Sequence, residues 1–451
     1  MIIDMPKGAA DIIAILTNNG YEAFLAGGCV RDSLMGKTPH DYDICTSATP
    51  GEVYNCIWDT FKIIETGIDH GTVTVVTPDG KYEVTTYRID GEYSDGRRPD
   101  SVEFTSDLRL DMSRRDFTIN AMAYNRDVGL CDFFGGWRDL RNQVIACVGE
   151  PADRFGEDAL RILRALRFAA VLGFKIDPKT SQAIHDMKLR LRLISAERIT
   201  MELIKLLEGD YACEVLIEYS DVISVIIPEL EPCIGFDQNN KYHQYTVYDH
   251  IAHAVGNYKG KDHVVNLALL LHDVGKPGAY FENETGGHFY GHGEISYALA
   301  QTILPRLRLS TKDTEDILTL VRYHDAVMEP TRRVVKRWMN RIGVKQMSRL
   351  LDIRIADIQA HAKGTQQSRV LRWVGLCDAF DEIQAEMQCF SLKDLAVNGR
   401  DIMALGVKEG KMVGDILKTL LDKVIDEELP NERNALIKAA SGLVDFERNK
   451  Q

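Results

Sequence analysis

Residues 25–43 contain Leu25-Ala26-Gly27-Gly28-Cys29-Val30-Arg31-Asp32 and, ten residues on from Arg31, Asp41-Tyr42-Asp43. The first piece reads as an apolar strand, a glycine pair and the start of a helix. Alone, such a turn does no more than reverse the chain. It can also do chemistry: paired glycines let the backbone come close to a phosphate, the first N–H groups of a helix attract an anion, and Arg31 adds a fork of donors. If Asp41 to Asp43 is extended, both carboxylates face one side. With no Lys or Arg between them they repel unless a divalent cation lies there, and hard oxygen donors suit Mg²⁺. A phosphate turn beside a metal-binding carboxylate pair is the arrangement used for in-line phosphoryl transfer. Glu83, in Tyr82-Glu83-Val84-Thr85-Thr86, reads either as a third carboxylate from a neighbouring strand or as a half-exposed strand residue.

Outward from this stretch, the first 150 or so residues mix two periodicities. A helical pattern over Ala9–Asn18 precedes strand patterns over Tyr21–Ala26, Gly71–Thr77, Tyr82–Arg88 and Ser101–Thr105, separated by glycine-rich turns. From Arg154 the chain reads as helices, over Glu157–Leu172, Lys179–Leu191 and Ala196–Leu207, and Pro228, Pro232 and Gly235 mark a joint. Residues 243–375 read as helices rich in histidine, and the helical remainder is broken by Gly399, Gly406, Gly410, Gly414 and Pro430. The fold class expected is α+β: a mixed-sheet head followed by all-helical segments, divided as 1–150, 151–235, 240–375 and 376–451.

Two further stretches carry chemistry. Arg114-Arg115-Asp116-Phe117-Thr118-Ile119-Asn120-Ala121 reads either as a helix start or as Arg115 on phosphates with Asp116 on a ribose hydroxyl. Asp158 and Arg161, in Glu157-Asp158-Ala159-Leu160-Arg161, are three apart on a predicted helix. They read as an ion pair worth about 0.3–0.5 kcal/mol, or as a base-reading pair. Cytosine and adenine both present an amino donor beside a ring-nitrogen acceptor, which a carboxylate and a guanidinium match together, whereas uracil and guanine present the reverse. Arg164 and Arg167 extend the positive row toward phosphates or an RNA backbone.

Composition sets the outer limits. The 451 residues are 45% hydrophobic and 27% charged, with a net charge of −13, which fits a globular chain and argues against wholesale coating of nucleic acid. No apolar run reaches the ~18 residues a membrane span needs, and the N-terminus lacks the pattern of a signal peptide. The nine scattered cysteines form no C-x-x-C pair, as expected of reduced thiols in the cytoplasm.

The motifs from Gly27-Gly28-x-Val30-Arg31-Asp32 through Asp41-x-Asp43, Arg114–Ala121 and Glu157-Asp158-x-x-Arg161 to Ala196-Glu197-Arg198-Ile199 resemble, in order, those of class II tRNA nucleotidyltransferases. That family comprises the CCA-adding enzymes and related bacterial poly(A) polymerases. The resemblance implies a polymerase-β-like nucleotidyltransferase head with Mg²⁺ on Asp41 and Asp43, and Gly28, Arg31 and Arg115 holding the triphosphate. It implies a helical neck that reads the base through Asp158 and Arg161, with Arg164 and Arg167 beside them. It also implies tRNA, CTP and ATP as partners. Asp90–Asp100 looks like the family's full-length flexible loop, which goes with addition of all three nucleotides, and the tail from Asn398 through Asn431 looks like the part that contacts the tRNA body.

Eight of the twelve histidines lie between His243 and His324. Imidazoles and carboxylates on successive helices suit a second divalent metal. This segment resembles the HD phosphohydrolase superfamily, which implies His250, His272, Asp273 and Asp357 as ligands and His292 and His324 at a second position. Trimming of 2′,3′-cyclic or 3′-phosphate ends of tRNA is then an expected side activity. The leading expectation is CCA addition. A poly(A) polymerase, a hydrolase with a nucleotide-sensing head, and a non-catalytic RNA-binding protein are the alternatives. The basic stretch Arg332-Arg333-x-x-Lys336-Arg337, with Trp338, reads as an RNA contact or as a solvated helix face.

Overall fold

The computed structural model describes residues 3–68, 71–91, 102–284, 286–386 and 388–448. Beyond Gly91, the loop expected over Asp90–Asp100 falls outside the described residues. The chain forms two compact units, Met1–Glu231 and Pro232–Gln451.

The first unit is built on a mixed sheet. Helix α1 (Lys7–Asn18) leads to β1 (Ala23–Ala26), α2 (Gly28–Leu34), β2 (Ile44–Thr46) and α3 (Pro50–Ile57). Strands β3 (Lys62–Gly67), β4 (Thr72–Thr77) and β5 (Gly80–Thr86) follow, then a separate ribbon of β6 (Arg88–Asp90) with β7 (Val102–Phe104). Helix α4 (Leu108–Ser113) precedes β8 (Met122–Asn125) and β9 (Gly129–Asp132). The sheet order is β3-β4-β5-β2-β1-β8-β9, with β2 and β5 parallel and the other neighbours antiparallel. Strands β1 and β2 are buried along their whole length, as befits centre strands covered on both faces. Phe24, Ala26 and Cys45 share a core cluster with Leu108 and Met112 of α4, while Leu25, by alternation, points the other way.

Helix α5 (Gly136–Arg141) and the short parallel pair β10 (Val144–Ile145) and β11 (Lys175–Ile176) join the sheet to the helical part. That part holds α6 (Pro151–Glu157), α7 (Leu160–Leu172), α8 (Pro178–Met187), α9 (Ala196–Leu207), α10 (Ala212–Glu218) and α11 (Ser220–Ile226). Two expectations change here. The single helix expected over Glu157–Leu172 is broken at Asp158, because the Asp158 side chain accepts the Leu160 N–H (3.0 Å) and so opens a new helix. The segment Arg114–Ala121 is not a helix start: Arg114 ends α4, and only a 3₁₀ turn at Thr118–Asn120 follows.

The second unit is helical: α12 (Val247–Asn257), α13 (His263–Leu271), α14 (Lys276–Ala279), a hairpin of β12 (Phe281–Asn283) with β13 (Gly286–His288), then α15 (His292–Arg306), α16 (Thr311–Tyr323), α17 (Arg332–Ile342), α18 (Val344–Ala360) and α19 (Gln367–Ala385). Helix α13 is buried from Val264 to Leu271 and apolar there except at Asn266, so it forms the middle of the unit. The last helices, α20 (Gly399–Met403), α21 (Lys411–Ile425) and α22 (Arg433–Arg448), share their own core, including Leu420, Leu436 and Ala440. Gly399 begins a helix and Gly414 lies within one, rather than either breaking one as the sequence suggests. No helix among the described residues is long and apolar enough to cross a membrane.

Two candidate active sites

The first site lies where β1 and β2 meet the glycine turn. Gly27 has φ +80°, and a Cβ there would stand 2.5 Å from Arg115 Nη1, so a hydrogen at this position makes room for a guanidinium. Arg115 also donates to the Asn120 carbonyl (3.3 Å). Arg31, on α2, is buried and donates from Nη1 to Asn120 Oδ1 (2.6 Å) and from Nε to Asp32 (2.8 Å). Asp41 and Asp43 lie just ahead of β2 rather than within a strand, and both are exposed. The Asp43 carbonyl accepts the Ala26 N–H (3.0 Å), which ties the carboxylates to the glycine turn.

Glu83 belongs beside them. Ile44 pairs with Val84 across the parallel β2–β5 ladder, so one step back sets Asp43 against Glu83. The Asp43 carboxyl is raised above its usual range, first by the protein atoms crowding it, then by Glu83, with Arg115 opposing and Asp41 adding. Like charges crowded on hard oxygen donors fit a divalent cation.

The neighbouring residues are less free than expected. Asp116 is buried, and its Oδ1 accepts from Phe117 N–H (2.8 Å) and Asn120 Nδ2 (3.0 Å), while Oδ2 takes Arg164 Nε (2.8 Å) and Nη2 (2.6 Å). Its roughly four acceptor positions are thus filled, and the expected bond to a ribose hydroxyl has no place. Burial alone would raise its pKa; Arg164 and Asn120 outweigh that and hold it below the usual range. Arg164 and Arg167, expected to face phosphates, instead approach Glu202 (3.8 and 3.1 Å) and cover the ring of Phe168.

Asp158 and Arg161 do not pair with each other. Asp158 takes Arg198 Nη2 at 2.6 Å, and Arg161 gives Nη1 to Glu157 (2.5 Å) and to the Arg154 carbonyl (3.3 Å), and Nη2 to the Arg114 carbonyl (3.0 Å). Three of the five guanidinium N–H groups of Arg161 are used and two remain. Arg198 is the residue the sequence reading passed over, although it stands in the quoted Ala196-Glu197-Arg198-Ile199 motif. The signal available was that motif's order, since nothing local links residues forty apart.

The second site gathers ligands from five helices' ends and faces. His250 (α12), His272 and Asp273 (after α13) and Asp357 (α18) form one group; Asp273, His292 (α15) and His324 (after α16) form another. Within each group one donor atom per residue lies within 4.8 Å of all the others. The tautomers are set from outside: the Nδ1–H groups point at backbone carbonyls of Ala360 (from His250, 3.3 Å), Leu269 (from His272, 2.6 Å), Phe289 (from His292, 2.9 Å) and Val321 (from His324, 2.7 Å). In the neutral ring that a metal requires, each Nε2 then turns a lone pair inward. Two of them, on His292 and His324, face each other at 3.0 Å. Asp273 turns Oδ2 toward His272 (3.2 Å) and Oδ1 toward His292 (3.2 Å). Facing nitrogen lone pairs around shared carboxylates are a donor set for a metal, and this is where the residues fit one best. The carboxylates of the first site do not form so tight a group.

Four cations of the basic stretch on α17 face the protein's own carboxylates. Arg332 binds Glu382 (2.8 Å) and Glu386 (2.9 Å), Arg333 and Arg337 bind Asp426 (2.8 and 2.7 Å), and Lys336 approaches Glu427 (3.3 Å). Trp338 packs edge-on against Tyr323.

Comparison with known proteins agrees with this geometry. The poly(A) polymerase head domain family matches residues 23–146, the family described as "Probable RNA and SrmB- binding site of polymerase A" matches 173–234, and the family described as "tRNA nucleotidyltransferase domain 2" matches 292–440. The CCA-adding enzyme of Levilactobacillus brevis is 32% identical over 96% of this chain and 97% of its own length. The chain belongs to the CCA-adding enzyme family. Within it, the enzyme of Enterococcus faecalis is 49% identical over 45% of this chain and 49% of its own. The crystal structure of the Bacillus stearothermophilus CCA-adding enzyme with CTP superposes with a TM-score of 0.73 at 28% identity, covering 99% of this chain and all of that one. The Thermotoga maritima CCA-adding enzyme with tRNA shares the fold, with a TM-score of 0.61 at 20% identity over 98% and 97%. As a CCA-adding enzyme, the chain is a nucleotidyltransferase.

Proposed function

We propose that the head adds or repairs the 3′-terminal CCA of tRNA in the cytoplasm, without a nucleic-acid template, from CTP and ATP. The observation that carries this is the meeting of Asp41, Asp43 and Glu83 with the Gly27–Arg115 notch in a chain of this family. Asp41 and Asp43, with Glu83 beside them, would hold Mg²⁺, which when bound would supply Lewis acidity at the phosphoryl group being transferred. Gly28, Arg31 and Arg115 hold the triphosphate, and the Asn120 bonds aim both arginines. Asp158, held by Arg198, accepts the amino group of C or A, and a free N–H of Arg161 donates to the ring nitrogen. Asp116 positions Arg164. Supporting divisions are a head over 1–150, a neck over 151–235, an HD-type domain over 240–375 and a tail over 376–451 that meets the tRNA body.

The test is a single-nucleotide-resolution gel with Mg²⁺ and tRNA lacking its last three nucleotides. Two additions are expected with CTP alone and three with CTP plus ATP, with none from UTP or GTP. Long ladders with ATP alone would instead identify a poly(A) polymerase.

The inward-facing histidine lone pairs favour a second reading: the HD-type centre hydrolyses phosphate ends of RNA. His272→Ala should then lose hydrolysis of a phosphate-ended RNA, whether the end is a 3′-monoester or a 2′,3′-cyclic phosphate, while CCA addition continues. Equal hydrolysis by both proteins sinks that reading.

A further inference from the structure

We propose that Arg354, Arg369 and Arg372 grip the phosphate of one terminal nucleotide against the histidine–aspartate centre, which makes a phosphomonoester end its substrate. This rests on the hydrolytic reading of that centre. A cavity of about 270 Å³ opens beside it, and its wall includes His324 from one ligand group and Asp357 from the other. A group in this cavity therefore reaches both.

The three arginines line the same cavity. Arg369 and Arg372 are three apart on α19 and so share a face, and Arg354 comes from α18. Their donors are largely uncommitted. Arg354 gives Nη2 to the Ala326 carbonyl, and its Nε is buried without a hydrogen-bond partner. Arg369 gives one N–H to His361 Nε2 (2.6 Å). Arg372 is exposed and has no ion pair among the described residues. Apart from the ligand Asp357, the cavity wall holds one carboxylate, that of Asp325.

The contrast with the rest of this unit is what points to a ligand. Arg332, Arg333, Arg337 and Arg349 each have a carboxylate within 2.9 Å. Guanidinium groups gathered without such partners repel one another unless an anion joins them, and their planar forks match phosphate oxygens. Three guanidiniums against one spare carboxylate favour a dianionic monoester over a monoanionic diester. The opposite side of the cavity suits a nucleoside. Met328 and Leu376 are apolar and buried, and Trp373 is fixed by its Nε1 bond to the Leu351 carbonyl (2.9 Å), leaving a ring to stack on. A volume of about 270 Å³ is on the scale of one nucleotide. In the reaction, a water oxygen bonds to phosphorus, the bond from phosphorus to the ribose oxygen breaks, and that oxygen leaves with a proton. The products are a free hydroxyl end and inorganic phosphate.

The test uses the full chain with Mn²⁺ and adenosine 3′-phosphate, reading equilibrium binding and phosphate release separately. Arg372→Ala should weaken binding and raise KM by about tenfold or more with melting temperature unchanged, and Arg372→Lys should recover part of the loss. Wild type should also prefer adenosine 3′-phosphate to bis(p-nitrophenyl) phosphate, and Arg372→Ala should lose that preference. Unchanged binding and KM in Arg372→Ala overturn the arginine assignment while leaving hydrolysis standing. Binding that depends on Arg372 with no phosphate released under Mg²⁺, Mn²⁺, Co²⁺ or Ni²⁺ upholds the pocket and overturns the hydrolytic reading.

Discussion

Asp158 takes its partner from forty residues away. Arg198 reaches it across the turn between α6 and α7 at 2.6 Å, and this contact, together with the Leu160 N–H, fixes where the carboxylate points. Arg198→Ala should therefore blur base choice, lowering discrimination against UTP by about tenfold, or ~1.4 kcal/mol, with little change in triphosphate binding. Single-turnover rates with CTP and UTP measure it, and an unchanged ratio refutes the role. The candidates Asp41, Asp43, Asp158 and Arg161 stand out in the sequence because their spacing is local. Their partners do not. A three-residue interval suggested an Asp158–Arg161 pair, but Asp158 sits at a helix break, so Arg161 turns to Glu157 instead.

At the level of elements, Asp116 joins the loop after α4 to helix α7 through Arg164. Removing one member of a buried ion pair leaves the other uncompensated, at a cost of about 3 kcal/mol. Asp116→Asn should lower stability near neutral pH by roughly that amount. The folded-state pKa of Asp116 is below its ordinary value, so the wild-type advantage is full above about pH 4. It shrinks as pH falls through the lower, folded-state pKa, and denaturant melts across that window measure it. Elements with strong periodicity were legible: Ala196–Leu207 was read with the bounds the structure gives. Strand β3 was not, because Lys62–Gly67 is mostly exposed and lacks the alternation that marks a half-buried strand. The break at Asp158 was missed for a similar reason, since the apolar spacing on either side continues and only the cap interrupts it.

For the whole molecule, the order of motifs settled the family while charge alone would have misled. The chain carries −13, yet acids and bases are not spread evenly. The helix that looks most like an RNA-binding surface, α17, sets Arg332, Arg333, Lys336 and Arg337 against Glu382, Glu386, Asp426 and Glu427, while Arg341 meets Tyr323 and Trp338. In the language of counterions, a cation already matched by the protein's own carboxylate has no condensed ion to release from a phosphate. The steepness with which added salt weakens RNA binding is then set by arginines and lysines outside these pairs, and neutralising Arg337 together with its partner Asp426 leaves that slope where it was.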